Sequence, residues 1–86
     1  MKNIKLTKKE INKNLIVSRR SGFGGFDYNA VVRGFRFETL TDRPTGELVE
    51  SDDTGHITFV SIVNSKTMAV NAIYEWFVNY APQEFD

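Results

Sequence analysis

An 86-residue chain with no cysteine and a formal charge of zero has room for one domain and one small core, since folding at this length buries only about 60–65% of the unfolded surface. The composition excludes disulfides and thiolate metal sites, and no stretch approaches the roughly 18 apolar residues that a membrane span needs. The zero hides a division: residues 1–36 carry nine Lys/Arg against two acids, a charge of +7, and residues 37–86 carry two against nine, a charge of −7.

Thr7-Lys8-Lys9-Glu10 fits a capping box, in which the Thr7 hydroxyl accepts from the Glu10 amide and Glu10 reaches back. It predicts a short helix over about 7–13 with Ile11 as its apolar residue. No signal-peptide apolar run occupies the start of the chain, and the expectation is a cytoplasmic protein with residues 1–6 and 83–86 loose. Leu15-Ile16-Val17 leads a strand over 14–20, which Gly22, Gly24 and Gly25 break. Tyr28 to Leu40 reads as one long strand, with Gly34 marking a bulge or a close backbone approach.

Thr41 to Gly46 is a turn, Glu47–Glu50 a short strand, and Ser51 to Gly55 a second turn. His56 to Val63 is apolar on both faces, Ile57, Phe59 and Val63 against Val60 and Ile62, and so reads as a central strand. A helix follows over 66–81, capped by Asn64 or Ser65 and stopped by Pro82. Its polar residues fall on one stripe, Thr67, Asn71, Glu75 and Asn79. The remaining apolar arc is wider than one sheet contact requires, which points to the N-terminal helix, a second subunit or another protein as a further neighbour. Tyr74, Phe77 and Tyr80 form the candidate homodimer face. The fold class is therefore α+β: a four-stranded antiparallel meander with a short N-terminal helix and a long C-terminal helix packed on one face.

The candidate partner-binding residues are Arg19, Arg20, Phe23, Phe26, Tyr28, Arg33 and Arg36. The loop Arg19 to Tyr28 combines cations, three glycines and two phenylalanines, the composition of a contact loop whose rings enter a protein pocket or stack on bases. Arg33, Gly34, Phe35 and Phe37 match four positions of a strand that resembles RNP1 of the RNA-recognition motifs, with departures at Arg36, Glu38 and Leu40. That resemblance implies a nucleic-acid-binding strand. The competing reading places Phe35 and Phe37 in the core beneath the C-terminal helix.

Catalysis has little material. His56 is the only histidine; Asp52, Asp53 and His56 offer at most three ligands from one tight turn, and Ser18 and Ser21 have no base partner in the pattern. No catalytic residue, metal ligand or cofactor is assigned. The first functional expectation is a non-enzymatic protein that acts by stoichiometric contact with a protein partner, a format common among phage and mobile-element inhibitors of host enzymes or defence complexes. The alternatives are nucleic-acid binding through the basic and aromatic residues, and a structural subunit of a larger assembly.

Overall fold

The computed structural model describes residues 5–85; residues 1–4 and 86, part of the terminal stretches expected to be loose, lie outside the described residues. The element order is α1 (Lys8–Asn14), β1 (Leu15–Arg19), β2 (Phe26–Val32), β3 (Phe35–Thr39), β4 (Glu47–Ser51), β5 (Ile57–Ile62) and α2 (Lys66–Tyr80), followed by a 3-10 turn, Pro82–Phe85. The five strands form one antiparallel sheet in the order β1-β2-β3-β4-β5. Leu6 is fully buried, so the chain is already anchored before α1.

The fifth strand arises where a single long strand was expected. Val32 pairs with Phe35, leaving Arg33-Gly34 as a two-residue loop with φ of 53° and 85°. Positive φ at both positions is the mark of the type I′ hairpin turn, whose twist suits the flanking strands. Gly34 takes this region freely, but Arg33 does so against its side chain's preference. The Glu10 carboxylate holds it there: Arg33 Nε and Nη2 donate to Oε2 and Oε1 at 2.6 and 2.8 Å. Glu10 therefore does not complete a capping box. The Thr7 hydroxyl accepts from the Glu10 amide as expected, and the Glu10 side chain braces the β2–β3 turn instead.

Both helices lie on one face of the sheet. Ser65 caps α2 by accepting from the Met68 amide, and the helix buries Ala69, Val70, Ile73, Trp76 and Phe77. The Trp76 ring meets Phe35 and Phe37 edge-on at 5.1 and 5.2 Å between centroids, and Phe77 meets Phe35 at 5.4 Å. Edge-to-face pairs of this kind add to the area they bury. Ile11 of α1 and Leu6 join the same cluster, so α1 covers part of the wide apolar arc of α2, while the stripe Thr67, Asn71, Glu75 and Asn79 faces solvent.

The strand β5 is an edge, not a central strand. A bulge sets it off from β4: Val49 pairs with Phe59 and Leu48 with Ser61, leaving Val60 as the extra residue. The bulge breaks strict alternation and puts Ile62 on the same outward face as Ile57 and Phe59. At the other end of this pairing the Val63 amide donates to Gly46 O at 2.7 Å, and a Cβ on Gly46 would collide with Val63 O.

The Arg33 pair lowers the Glu10 pKa below its ordinary 4.5, chiefly through the hydrogen bond from the guanidinium. A depressed carboxylate contributes stability above its unfolded value and loses it as pH falls through the folded one. Glu10→Gln should accordingly cost about 1 kcal/mol at pH 7, with the gap to wild type narrowing as pH drops below 4.5. Denaturant melts across that range measure it, and a pH-independent difference would remove the ion pair from the account.

Candidate functional site

The hairpin joining β1 and β2 projects from one end of the sheet, and its root is built on Arg20. The Arg20 amide donates to Gly25 O at 3.0 Å, closing the loop. Its guanidinium, almost wholly buried, turns inward. Nη2 donates to the carbonyls of Leu40, Thr41 and Arg43, and Nε lies 3.2 Å from Asp27 Oδ1. One side chain thus ties the β1–β2 hairpin to the β3–β4 loop. A buried guanidinium is tolerable only when its charge is matched: Asp27 supplies the counter-charge, although Nε and Asp27 Oδ1 make no hydrogen bond, and the hydrogen bonds come from Nη2. Tyr28, also buried, brings a second lock: Thr39 Oγ1 accepts from the Tyr28 amide at 3.1 Å and donates to its carbonyl at 3.3 Å.

Beyond that root the loop is bare. Phe23 is 54% exposed and Phe26 47%; Arg19 is exposed as well. The Arg20 guanidinium lies 5.6 Å from the Phe23 ring centroid, so one side of that ring rests on the anchored cation. Arg19 pairs in register with Phe26, which places a charge and a ring on the same side of the ladder.

The other cations expected at this surface lie elsewhere. Arg33 sits in the β2–β3 turn, at the opposite end of the sheet, bound to Glu10. Arg36 is on the face away from the helices, 3.4 Å from Asp53 Oδ1. Arg19, Phe23 and Phe26 therefore form one surface over an Arg20–Tyr28 root, and Arg33 and Arg36 are not part of it. The phenylalanines of the RNP1-like stretch are not an open stacking platform, because Phe37 is completely buried and Phe35 packs on Trp76 and Phe77. The homodimer candidates divide likewise. Phe77 is in the core and offers no surface; Tyr74 is half-buried with Lys8 Nζ 5.2 Å from its ring centroid; Tyr80 is 68% exposed.

Strand order follows sequence order, so part of the charge division of the sequence is carried into space, with Arg36 and Asp53 meeting across it. Basic α1 and β1 lie on one side of the sheet, and the acids of β4 and the following turn on the other. Two carboxyls on that acidic side have shifted pKa values. Asp52 is lowered from its ordinary range by hydrogen bonds from the Thr54 hydroxyl and the His56 amide; it caps its own turn, and this is the work the Asp52-Asp53-His56 segment performs. Glu50 lies on the helix-covered face, in register with Phe37 and Thr58, and is raised above 4.5 by burial, with the nearby Asp52 charge adding to the effect.

A feature that the sequence reading missed lies on the uncovered face of the sheet. Ile16, Val31, Ile57, Phe59 and Ile62 are all exposed there, while Val49 is buried on that face apart from the main core. The misreading of β5 as central concealed it: apolar residues on both faces describe a strand covered twice as well as an edge strand left bare.

Replacing Arg20 by Met should destabilise by about 3–5 kcal/mol, the usual consequence of removing one partner of a buried pair, and Arg20→Lys should recover only part because it lacks the fork. Thermal melts check this, and a loss under about 1 kcal/mol would show that the root is not held by Arg20. For Glu50 the sign is opposite to that of Glu10. A raised folded pKa means that stability is greatest below the unfolded value and declines as pH rises from 4.5 towards the folded value. Glu50→Gln should raise the melting temperature at pH 7 and leave it nearly unchanged at about pH 4; a uniform shift at both would contradict the burial argument.

Comparison with known proteins returns no match to any family model, curated protein or solved structure.

Proposed function

We propose that the protein is a non-catalytic binding protein that acts by stoichiometric contact with another protein through the β1–β2 hairpin tip. The observation that carries this reading is the contrast within one hairpin: a root tied down by the buried Arg20 guanidinium and a glycine-rich tip that leaves Phe23 and Phe26 half in water. Rigid aromatic side chains on a fixed support lose little entropy when they enter a pocket. They are the residue types that dominate binding energy at protein interfaces.

The partner chemistry follows from charge. The tip belongs to the basic half of the molecule and carries the exposed Arg19, so the matching surface is an apolar pocket rimmed by acids. A protein partner is favoured over nucleic acid because the arginines do not converge. Arg20 is buried, Arg33 is held by Glu10 and Arg36 lies on another face beside Asp53, which leaves too few phosphate contacts on one surface for binding dominated by counterion release. An inhibitor of a larger enzyme or complex, seated by one projecting hairpin, is the mode of action this arrangement supports.

Affinity capture with wild type and with a Phe23→Ser/Phe26→Ser variant, both verified as folded by circular dichroism, tests it. A protein retained by wild type should be lost by the variant, with affinity reduced about 30-fold or more, as expected for two anchor residues. Equal retention by both would overturn the role of the tip. Oligonucleotide binding at about 150 mM salt that disappears with the same variant would overturn the protein partner.

A further inference from the structure

We propose that copies of this chain associate head to tail, the β1 edge of one copy adding to the β5 edge of the next. The distribution of apolar side chains on the uncovered face points to it. They do not fill that face. Its centre carries Arg36, Glu38 and Ser51, and the exposed apolar residues lie at the two margins: Ile16 and Val31 on β1 and β2, and Ile57, Phe59 and Ile62 on β5. Each margin is a narrow strip by itself. A second copy placed alongside sets the two strips next to each other, so that side chains of one margin pack laterally on those of the other and each loses part of its exposure.

The edges are suited to the join. Among the described residues β5 has β4 as its sole strand neighbour, and Ile57-Thr58-Phe59-Val60-Ser61-Ile62 contains neither charge nor proline. Edges that remain unpaired are ordinarily protected by such residues. β1 is likewise uncharged from Leu15 to Ser18, between Lys13 and Arg19. Beside β5, α2 leaves a groove lined by Val60, Ser61, Met68, Ala72 and Trp76. Trp76 is buried, and its indole N–H has no acceptor; an added strand brings carbonyl groups to that groove.

Charge selects the partner edge. The β5 margin belongs to the acidic half, with Glu47 opposite Ile62, Glu75 on the groove and Asp52 and the Arg36-paired Asp53 in the preceding turn, and the β1 margin to the basic half, with Lys13 just before the strand and Arg19 at its end. A two-fold contact of β5 with β5 would set acid against acid. Head-to-tail addition sets opposite signs together. In a meander of five strands, β1 and β5 run in the same direction, so a copy displaced across the sheet offers β1 parallel to β5 with every helix on one side. Its Lys13 end then falls beside the Asp52-Asp53 turn and its Arg19 end beside Glu47. Such a contact is heterologous and repeats from copy to copy, giving an open chain or a closed ring rather than a dimer.

This association does not use the hairpin tip, so a Phe23→Ser/Phe26→Ser variant should assemble as wild type does, and failure of either proposal is read separately. Sedimentation velocity over a concentration series is the test. Wild type should exceed dimer mass and should shrink as salt rises from about 50 to 500 mM. Ile16→Lys blocks only β1, and Phe59→Lys/Ile62→Lys blocks only β5, at side chains already about half exposed or more, so both should fold and remain monomeric alone. Mixed in equal amounts they should form a discrete 1:1 dimer, because each retains the edge that the other lacks. A wild type that stays monomeric at about 1 mM, a dimer formed by Ile16→Lys alone, or a mixture that does not pair would each overturn the proposal.

Discussion

The packing of Trp76 and Phe77 against Phe35 and Phe37 decides more of this molecule than any other contact. A chain this short has one core to build, and four aromatic rings supply its centre. Once the rings of α2 are set on β3, α2 occupies one side of the sheet, and α1, carrying Ile11 and preceded by Leu6, closes over the remaining arc of the same helix. Among the described residues no element covers the other face. The bare face, its exposed Ile16 and Phe59, and the two open edges are consequences of where the aromatic cluster sits. Truncating Phe77 would open a cavity at the position that holds the two layers together, where losses of about 3–5 kcal/mol are usual.

A meander translates sequence position into lateral position. Strands added one after another at a growing edge keep their order, so the cations of α1 and the end of β1 stay apart from the acids of β4 and the turn after it, while Arg36 at the centre meets Asp53. Topologies in which distant strands pair would have interleaved the signs. Such a molecule presents different fields to partners approaching from its two sides, and over distances near a Debye length of about 8 Å at physiological salt that field influences which side is met first.

The sequence discloses the elements whose signals are local and conceals those whose cause is distant. The long helix is readable from Ser65, Pro82 and the stripe of polar residues spaced by four, all within its own span. The short helix is readable from Thr7, whose hydroxyl accepts from an amide three residues on. The β2–β3 turn is hidden because its two-residue loop is Arg-Gly, without the Asn or Asp that usually announces a type I′ turn. What holds Arg33 at positive φ is Glu10, 23 residues away. Arg20 is misjudged for a similar reason. A cation next to a glycine-rich loop reads as a surface charge, yet its Nη2 donates to carbonyls 20 to 23 residues further on, and backbone acceptors leave no trace in side-chain composition. The edge position of β5 escapes because a strand apolar on both faces is compatible with two coverings and with none, and the bulge at Val60 that gathers Ile57, Phe59 and Ile62 on one face has no sequence mark.

Rigidity and exposure are separated along this chain in a way that bears on how it can act. The root of the β1–β2 hairpin spends a buried guanidinium and a Thr39–Tyr28 side-chain bridge on being fixed, although neither enlarges the apolar core. A loop with no role in contact could be shorter and need no such anchor, since glycine-rich segments lose the most entropy on ordering. The combination of a costly root and an unburied aromatic tip is what the proposed contact beyond the molecule rests on. The sheet edges show the reverse arrangement: β5 is paired through a bulged ladder on its β4 side and, among the described residues, has no strand on its other flank. Pairing along a strand needs only the backbone and a row of side chains, not a preformed projection, and so it requires no device like Arg20. The two proposed contacts thus rest on different physics, side-chain anchoring at the tip and backbone complementation at the edge, and a change that disables one has no physical reason to disable the other.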